Sequence, residues 1–285
     1  MNKNIEESII EIQKRFNIIG RSSELGRAIS SRLAGKHLLL EGEVGVGKTV
    51  LAEAIARYFD QGFFRVDGDE RFNENKMVGV FDPPLVIKDG YNWESFLSGP
   101  LTKAMKEGGV LLLNELNRLP EGTQNVLLPA MDEGKITIPK LGVLHAKPGF
   151  YIIATQNPEE HVGVTTLGEA LKDRFVWIKL NYQSEEDECK ITELRSNNSD
   201  RELIRRAVKI TRTTRKHPDI RRGASVRAAI DIAGIMNYYD NNDEGAWIEA
   251  ATSALAMKIE LEDSAERSLE DVIRDIVMQS LRDFP

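Results

Sequence analysis

The 285-residue chain has a single cysteine, Cys189, which excludes a disulfide framework and a thiolate-rich metal site and fits a reducing compartment. Its four histidines are scattered, with no pair at i, i+4, so the helical metal pair of zinc hydrolases is missing too. No run approaches the roughly 20 apolar residues that span a bilayer. The polar, amphipathic start MNKNIEESIIEIQKRF lacks the apolar centre of a secretory signal. These absences predict a cytoplasmic protein with no membrane span. Positive charge is also short: the formal net charge is −7, which argues against bulk binding to nucleic acid or anionic lipid. What remains is a chain with 41% hydrophobic and 29% charged residues, able to bury one large core or two ordinary ones.

Five short apolar runs stand out: HLLLEG from His37, FFRVDG from Phe63, VLLLNE from Val110, FYIIATQN from Phe150 and FVWIKL from Phe175. Each is too short for an ordinary helix, and longer stretches with helical spacing separate them. Continuous apolar strands alternating with helices predict an α/β fold with a five-stranded parallel sheet covered on both faces. Ligands bind such sheets beyond the carboxyl ends of the strands, where the polar residues of these runs fall. Two segments interrupt the alternation. The stretch Val78–Phe96, with a Pro-Pro pair and an Asp-Gly turn, predicts an inserted hairpin, and KITIPKLGVLHAKPGF predicts a second one around Lys140–Gly142. Beyond Tyr182 the β signal fades. Arg201–Thr214, Ser225–Tyr238 and Trp247–Ile259 carry helical periodicity, so the reading is a core over 1–182 followed by a smaller all-helical domain over 183–285.

The strongest chemical signal is GEVGVGKT, Gly42 to Thr49, between the first strand and a helix. Its backbone N–H groups, from Gly42, Glu43, Val44, Gly45, Val46 and Gly47, can curl around phosphate oxygens. The helix that begins with Lys48, Thr49 and Val50 adds its positive end. Lys48 can reach the outer phosphates of ATP, and Thr49 can ligate magnesium. The third run ends in Asn114-Glu115. A strand-end carboxylate commonly holds a magnesium-bound water, and Asn114 offers a neutral carbonyl in its place. Glu115 can polarise an attacking water. Asn157, ending the fourth run, points to the same edge, although an Asn-Pro pair alone is only a turn former. Arg174 and Arg227 are, taken singly, unremarkable arginines of the kind that make surface ion pairs. The basic run over Arg201–Arg222 reads as a solvated or intersubunit face, and Asp67, Asp69 and Glu70 read as loop carboxylates in solvent or against the first insertion.

Taken together these segments resemble AAA+ ATPases, and more closely their MoxR group. IIGRSSELGRAISSRLAGKHLLLEGEVGVGKTVLAEAIA resembles that group's entry helix, first strand and Walker A loop. GGVLLLNELNRLPEGTQNVLLPAMDEGKITI resembles its Walker B strand, the helix after it and the start of a hairpin. IIATQNP resembles the sensor 1 strand, EALKDRF the arginine-finger turn, and HPDIRRGASVRA the sensor 2 helix. The likeness runs from about Ile18 to Val277. It implies an AAA+ αβα core with helix-2 and pre-sensor 1 hairpin insertions, then a helical lid. It makes Asn157 sensor 1, Arg174 a finger reaching a neighbour's ATP, and Arg227 sensor 2. It further implies a hexameric homo-oligomeric ring, ATP and Mg2+ as cofactors, and a chaperone-like action on a protein client, such as one with a von Willebrand factor A domain. The departure is Asn114, where the family commonly has aspartate. Three functions arise as expectations: a slow or metal-hungry ATPase, a non-hydrolysing ATP-gated assembly switch, and a nucleic-acid ring motor. The acidic balance and the poverty of basic and aromatic residues in the insertions stand against the last.

Overall fold

A computed structural model describes residues 5–59, 62–157 and 166–283. The chain divides into two compact units, one formed by Met1–Glu43 and Gly47–Asn181, the other by Tyr182–Pro285 with the three loop residues Val44–Val46.

The first unit opens with α1 (Ile5–Phe16) and α2 (Ser22–Leu33), followed by β1 (His37–Glu41), α3 (Lys48–Tyr58) and β2 (Phe63–Asp67). Then come α4 (Glu74–Val78), β3 (Gly79–Phe81), α5 (Pro83–Asp89), β4 (Phe96–Ser98), α6 (Pro100–Glu107) and β5 (Val110–Asn114). A 3-10 turn over Leu116–Arg118 leads to α7 (Glu121–Asn125), α8 (Leu127–Asp132), β6 (Lys135–Ile138), β7 (Gly142–His145), β8 (Tyr151–Gln156), α9 (Glu169–Lys172) and β9 (Phe175–Lys179).

All five apolar runs join one parallel sheet, in the order β2-β5-β8-β1-β9. The three inner strands are buried along nearly their whole length, which is why they read as unbroken apolar runs rather than alternating ones. Leu111, Leu113, Ile152 and Ala154 pack with Leu101, Met105, Leu116 and Leu127 in one core cluster. The order also fixes where chemistry can occur. From β1 the chain crosses in one direction to β2, and from β8 it crosses in the other to β9, so the C-terminal end of β1 lies at the switch point.

The second predicted insertion is an antiparallel hairpin, β6 with β7, in the register Ile136↔Leu144. The first is not a simple hairpin. Strands β3 and β4 do pair antiparallel, but α5 lies between them. Asp82 caps that helix by accepting from Leu85 N at 3.2 Å, and the Pro-Pro pair occupies its first turn, where a missing N–H costs nothing. A pair that reads as a turn is here a helix start.

The second unit contains α10 (Glu185–Ser196), α11 (Arg201–Thr214), β10 (Ile220–Arg222), α12 (Val226–Met236), α13 (Glu244–Leu255), β11 (Glu260–Leu261) and α14 (Leu269–Asp283). It has its own core, a buried cluster that includes Ile204, Val208, Ile232, Ile273, Val277 and Trp247. It departs from the all-helical expectation by one short antiparallel ladder, β10 with β11. Among the described residues no helix is long and apolar enough to cross a membrane.

Candidate nucleotide site

The candidate site is assembled from strand ends in the first unit. Between β1 and α3 the loop reverses sharply, with Gly45 at φ 81° and Gly47 at φ 94°, a conformation that glycine adopts without steric cost. Lys48 is buried, and its Nζ donates to the carbonyls of Gly42 at 2.6 Å and Glu43 at 2.7 Å. One residue on, Thr49 Oγ1 donates to Asn114 Oδ1 at 2.7 Å, tying the first turn of α3 to the end of β5.

That amide is gripped from three directions. Thr155 Oγ1, fully buried on β8, donates to the same Asn114 Oδ1 at 3.0 Å. On the other side Asn114 Nδ2 donates to Asp67 Oδ1 at 2.9 Å. Asp67 and Asn114 are register partners, the last residues of adjacent strands. The Arg65 guanidinium holds the Asp67 carboxyl below its usual range; partial burial opposes this, and the Asn114 amide adds to the lowering. Asp67 is exposed, as the sequence suggested, but it belongs to this network rather than to a free loop.

Glu115 comes next, in the left-handed region at φ 56° and ψ 54°. A glutamate pays about 1–2 kcal/mol for that conformation. Its backbone N–H donates to Thr155 Oγ1 at 3.0 Å, so one buried threonine fixes both strand-end residues. The Glu115 carboxylate pairs with Arg118 Nε at 3.1 Å and remains partly exposed. Gly68 is required alongside, because a Cβ there would lie 2.1 Å from the Glu115 carbonyl oxygen. Asn157, one residue past β8, is buried and accepts at its backbone oxygen from Asn117 Nδ2 at 3.2 Å. Its neighbour Pro158 lies outside the described residues.

Asn114, Glu115 and Asn157 thus stand at C-terminal strand ends or just beyond them, and Lys48 and Thr49 in the first turn of the helix that follows β1. Arg174 does not join them. It precedes β9, whose first residue, Phe175, is in register with His37 at the start of β1. Five residues of strand separate that end from the site, about 16 Å at the usual rise. There its Nε and Nη2 bind the two oxygens of Asp132 at 2.6 and 2.5 Å. Arg227 belongs to the second unit, in the first turn of α12.

The donor set is one of hard oxygens: the Thr49 hydroxyl, the Asn114 carbonyl, and the Asp67 and Glu115 carboxylates nearby. This suits magnesium, which takes few protein ligands and keeps waters and phosphate oxygens around it. Among the described residues no three His, Cys, Asp or Glu side chains gather into a self-sufficient metal cage. Thr155, Asp67 and Arg118 were missed by sequence reasoning. For Asp67 a signal existed, since FFRVD and VLLLN are apolar runs of equal length ending in side chains that can pair.

The family model described as the AAA domain, dynein-related subfamily, matches residues 37–175. The uncharacterised protein YojN of Bacillus subtilis is 35% identical over 217 residues, covering 74% of this chain and 70% of that protein. The gas vesicle ATPase GvpN of Haloferax mediterranei is 28% identical over 287 residues, covering 93% and 79%. Among solved structures, a candidate ATPase from Cytophaga hutchinsonii superposes with a TM-score of 0.53 at 24% identity, covering 96% of this chain and 94% of that one. The Thermotoga maritima RuvB Holliday junction branch migration motor gives 0.51 at 16% identity, covering 93% and 70%. At such identities the two structures establish the fold alone.

Proposed function

The chain belongs to the AAA domain family, and from that premise we propose that it is a magnesium-dependent ATP hydrolase of the MoxR type that works as a ring to remodel a protein client. The observation that carries this reading is the Thr49–Asn114 bond of 2.7 Å, with Glu115 next in the chain on a backbone pinned by Thr155. A phosphate loop, a metal-side hydroxyl and a water-activating carboxylate are thereby joined at one sheet edge.

In this reading the N–H groups of Gly42–Gly47 and the ammonium of Lys48 bind the phosphates of ATP. Thr49 and, through water, Asn114 hold magnesium, which supplies positive charge against the charge that develops on the phosphoryl oxygens. Glu115 would orient a water and take its proton as that water attacks the γ-phosphorus, the bond to the β–γ bridging oxygen breaks and ADP leaves with that electron pair. Asn157 orients the same water or the γ-phosphate, and Arg227 acts as sensor 2. Arg174 lies at the wrong end of the sheet for its own nucleotide, which supports a role toward a neighbouring subunit and hence a hexameric assembly. The client is a protein, of which one with a von Willebrand factor A domain is an example, and the setting is the cytoplasm.

The non-hydrolysing switch is the second reading, and it has one observation of its own: the Glu115 carboxylate is paired with Arg118 instead of standing free. Turnover measured against protein and magnesium concentration separates the two. We expect magnesium-dependent phosphate release that rises faster than linearly with protein, and a loss of about 10²–10⁴-fold in Glu115→Gln. No turnover at saturating magnesium and high protein concentration overturns the hydrolase in favour of the switch.

A further inference from the structure

We propose that Asp67 is the positioning residue for the metal side of this site: it locks the Asn114 amide so that Oδ1, and not Nδ2, faces Thr49. The inference rests on the reading of the site as one for a nucleotide and magnesium.

An asparagine amide is two-faced, with an acceptor oxygen and a donor nitrogen of nearly the same shape. A threonine hydroxyl tolerates either, because it can donate or accept. Thr49 and Thr155 therefore cannot by themselves decide which way Asn114 points. A carboxylate can, since ionised Asp67 only accepts, and a bond to it forces Nδ2 toward β2 and Oδ1 toward Thr49. The choice matters for a cation. Thr49 can offer a lone pair to a metal only if its proton is donated elsewhere, and Asn114 Oδ1 takes that proton at 2.7 Å. With the amide reversed, Nδ2 would compete for the same lone pair and present its positive end to the cation.

Asp67 is itself fixed. Arg65 Nε lies 3.1 and 3.0 Å from its two carboxylate oxygens, and Arg65 Nη2 lies 2.7 Å from Oδ1. The remaining nitrogen of Arg65, Nη1, bonds Glu53 on α3. Glu53 is four residues from Thr49, on the same face of that helix. The polar contacts thus close a circuit, Thr49 to Asn114 to Asp67 to Arg65 to Glu53 and back to α3, which ties the phosphate-loop helix to the ends of β2 and β5. The carboxylate missing at position 114 stands at the same register on the next strand. Because Asp67 is exposed, water screens its charge, and its contribution is chiefly the orientation of the amide.

The test is equilibrium Mn2+ binding, read by the electron paramagnetic resonance of free Mn2+, to the full chain saturated with a non-hydrolysable ATP analogue. Analogue binding in EDTA is measured in parallel. Asp67→Asn is expected to weaken Mn2+ about tenfold, the lower end for a residue acting through a ligand, and to leave metal-free analogue binding unchanged. The exchange D67N/N114D restores a carboxylate–amide pair with the carboxylate on β5, and is expected to recover affinity to within about twofold of the parent, where a merely structural defect would persist. N114D alone sets two carboxylates face to face and is expected to give no such recovery. Parental Mn2+ affinity in analogue-bound D67N, or equal loss in D67N and the exchange, overturns the assignment while the nucleotide reading stands. Failure of the parent chain to bind the analogue at all overturns both.

Discussion

Arg174 is held by Asp132 through two nitrogens at the N-terminal end of β9, the opposite end of the strands from Lys48. A guanidinium so placed serves a neighbour's phosphates or none. Arg174→Ala should lower turnover about 10³-fold or more while leaving nucleotide binding by the isolated chain intact. Mixing supplies the decisive measurement. Arg174→Ala retains Glu115, and Glu115→Gln retains Arg174, so the two inactive chains should regain hydrolysis when combined. Mixtures as silent as their components would place Arg174 outside the reaction. At this scale the sequence pointed by type and spacing to Lys48, Thr49 and Glu115, which the structure gathers at one end of the sheet. The sequence hid those that act by register. Thr155 is 40 residues from Glu115 and Asp67 is 47 from Asn114, and only strand pairing brings them together. Nothing in the local chemistry of a buried threonine announces that it fixes two strand-end residues at once.

The same division holds for the elements. The three inner strands were legible because burial on both faces leaves their centres apolar, while the edge strands β2 and β9 are only partly buried and β2 carries Arg65 inside its run. The helix α11 was legible because its apolar residues fall on one stripe, Leu203, Ile204, Ala207, Val208 and Ile210. Its predecessor α10 carries EEDECKITELRS and shows little amphipathic pattern, since what it buries is partly charge. Glu188 of α10 is buried, and it accepts from Arg212 at 2.8 Å and from Arg215 at 2.8 Å. Arg215 also lies over the Tyr182 ring at 3.9 Å, and Arg206 over Trp247 at 5.2 Å. The basic run, read as a solvated or intersubunit face, turns several of its arginines inward. Removing one partner of a buried ion pair is costly because it strands the opposite charge, so Glu188→Ala should lose about 3 kcal/mol in urea denaturation. A loss under about 1 kcal/mol would mean that the two arginines find water instead.

For the molecule as a whole the informative titration is at His37, the first residue of β1. It is buried, and its Nδ1 accepts from the backbone N–H of Ile152 at 3.0 Å, so the imidazole is neutral in the fold. Burial, with smaller contributions from Arg32 and Lys36, depresses its pKa to about 4 against an opposing hydrogen bond at Met131 and the charge of Asp132. In the unfolded chain it titrates near 6.5, the ordinary value. Between those two values the unfolded state binds the extra proton and the folded state does not. This contribution is therefore complete above about pH 6.5, and falls progressively as the pH drops toward 4. From pH 7 to pH 5 the loss amounts to about 2 kcal/mol. Carboxylates add slopes of their own, so the comparison must be with a chain that differs only here. His37→Gln keeps an acceptor in reach of Ile152 and does not titrate. Urea midpoints at the two pH values should show the parent losing about 2 kcal/mol more than this variant. Parallel losses in both would mean that His37 accepts its proton inside the fold, with the Ile152 bond broken and the sheet intact.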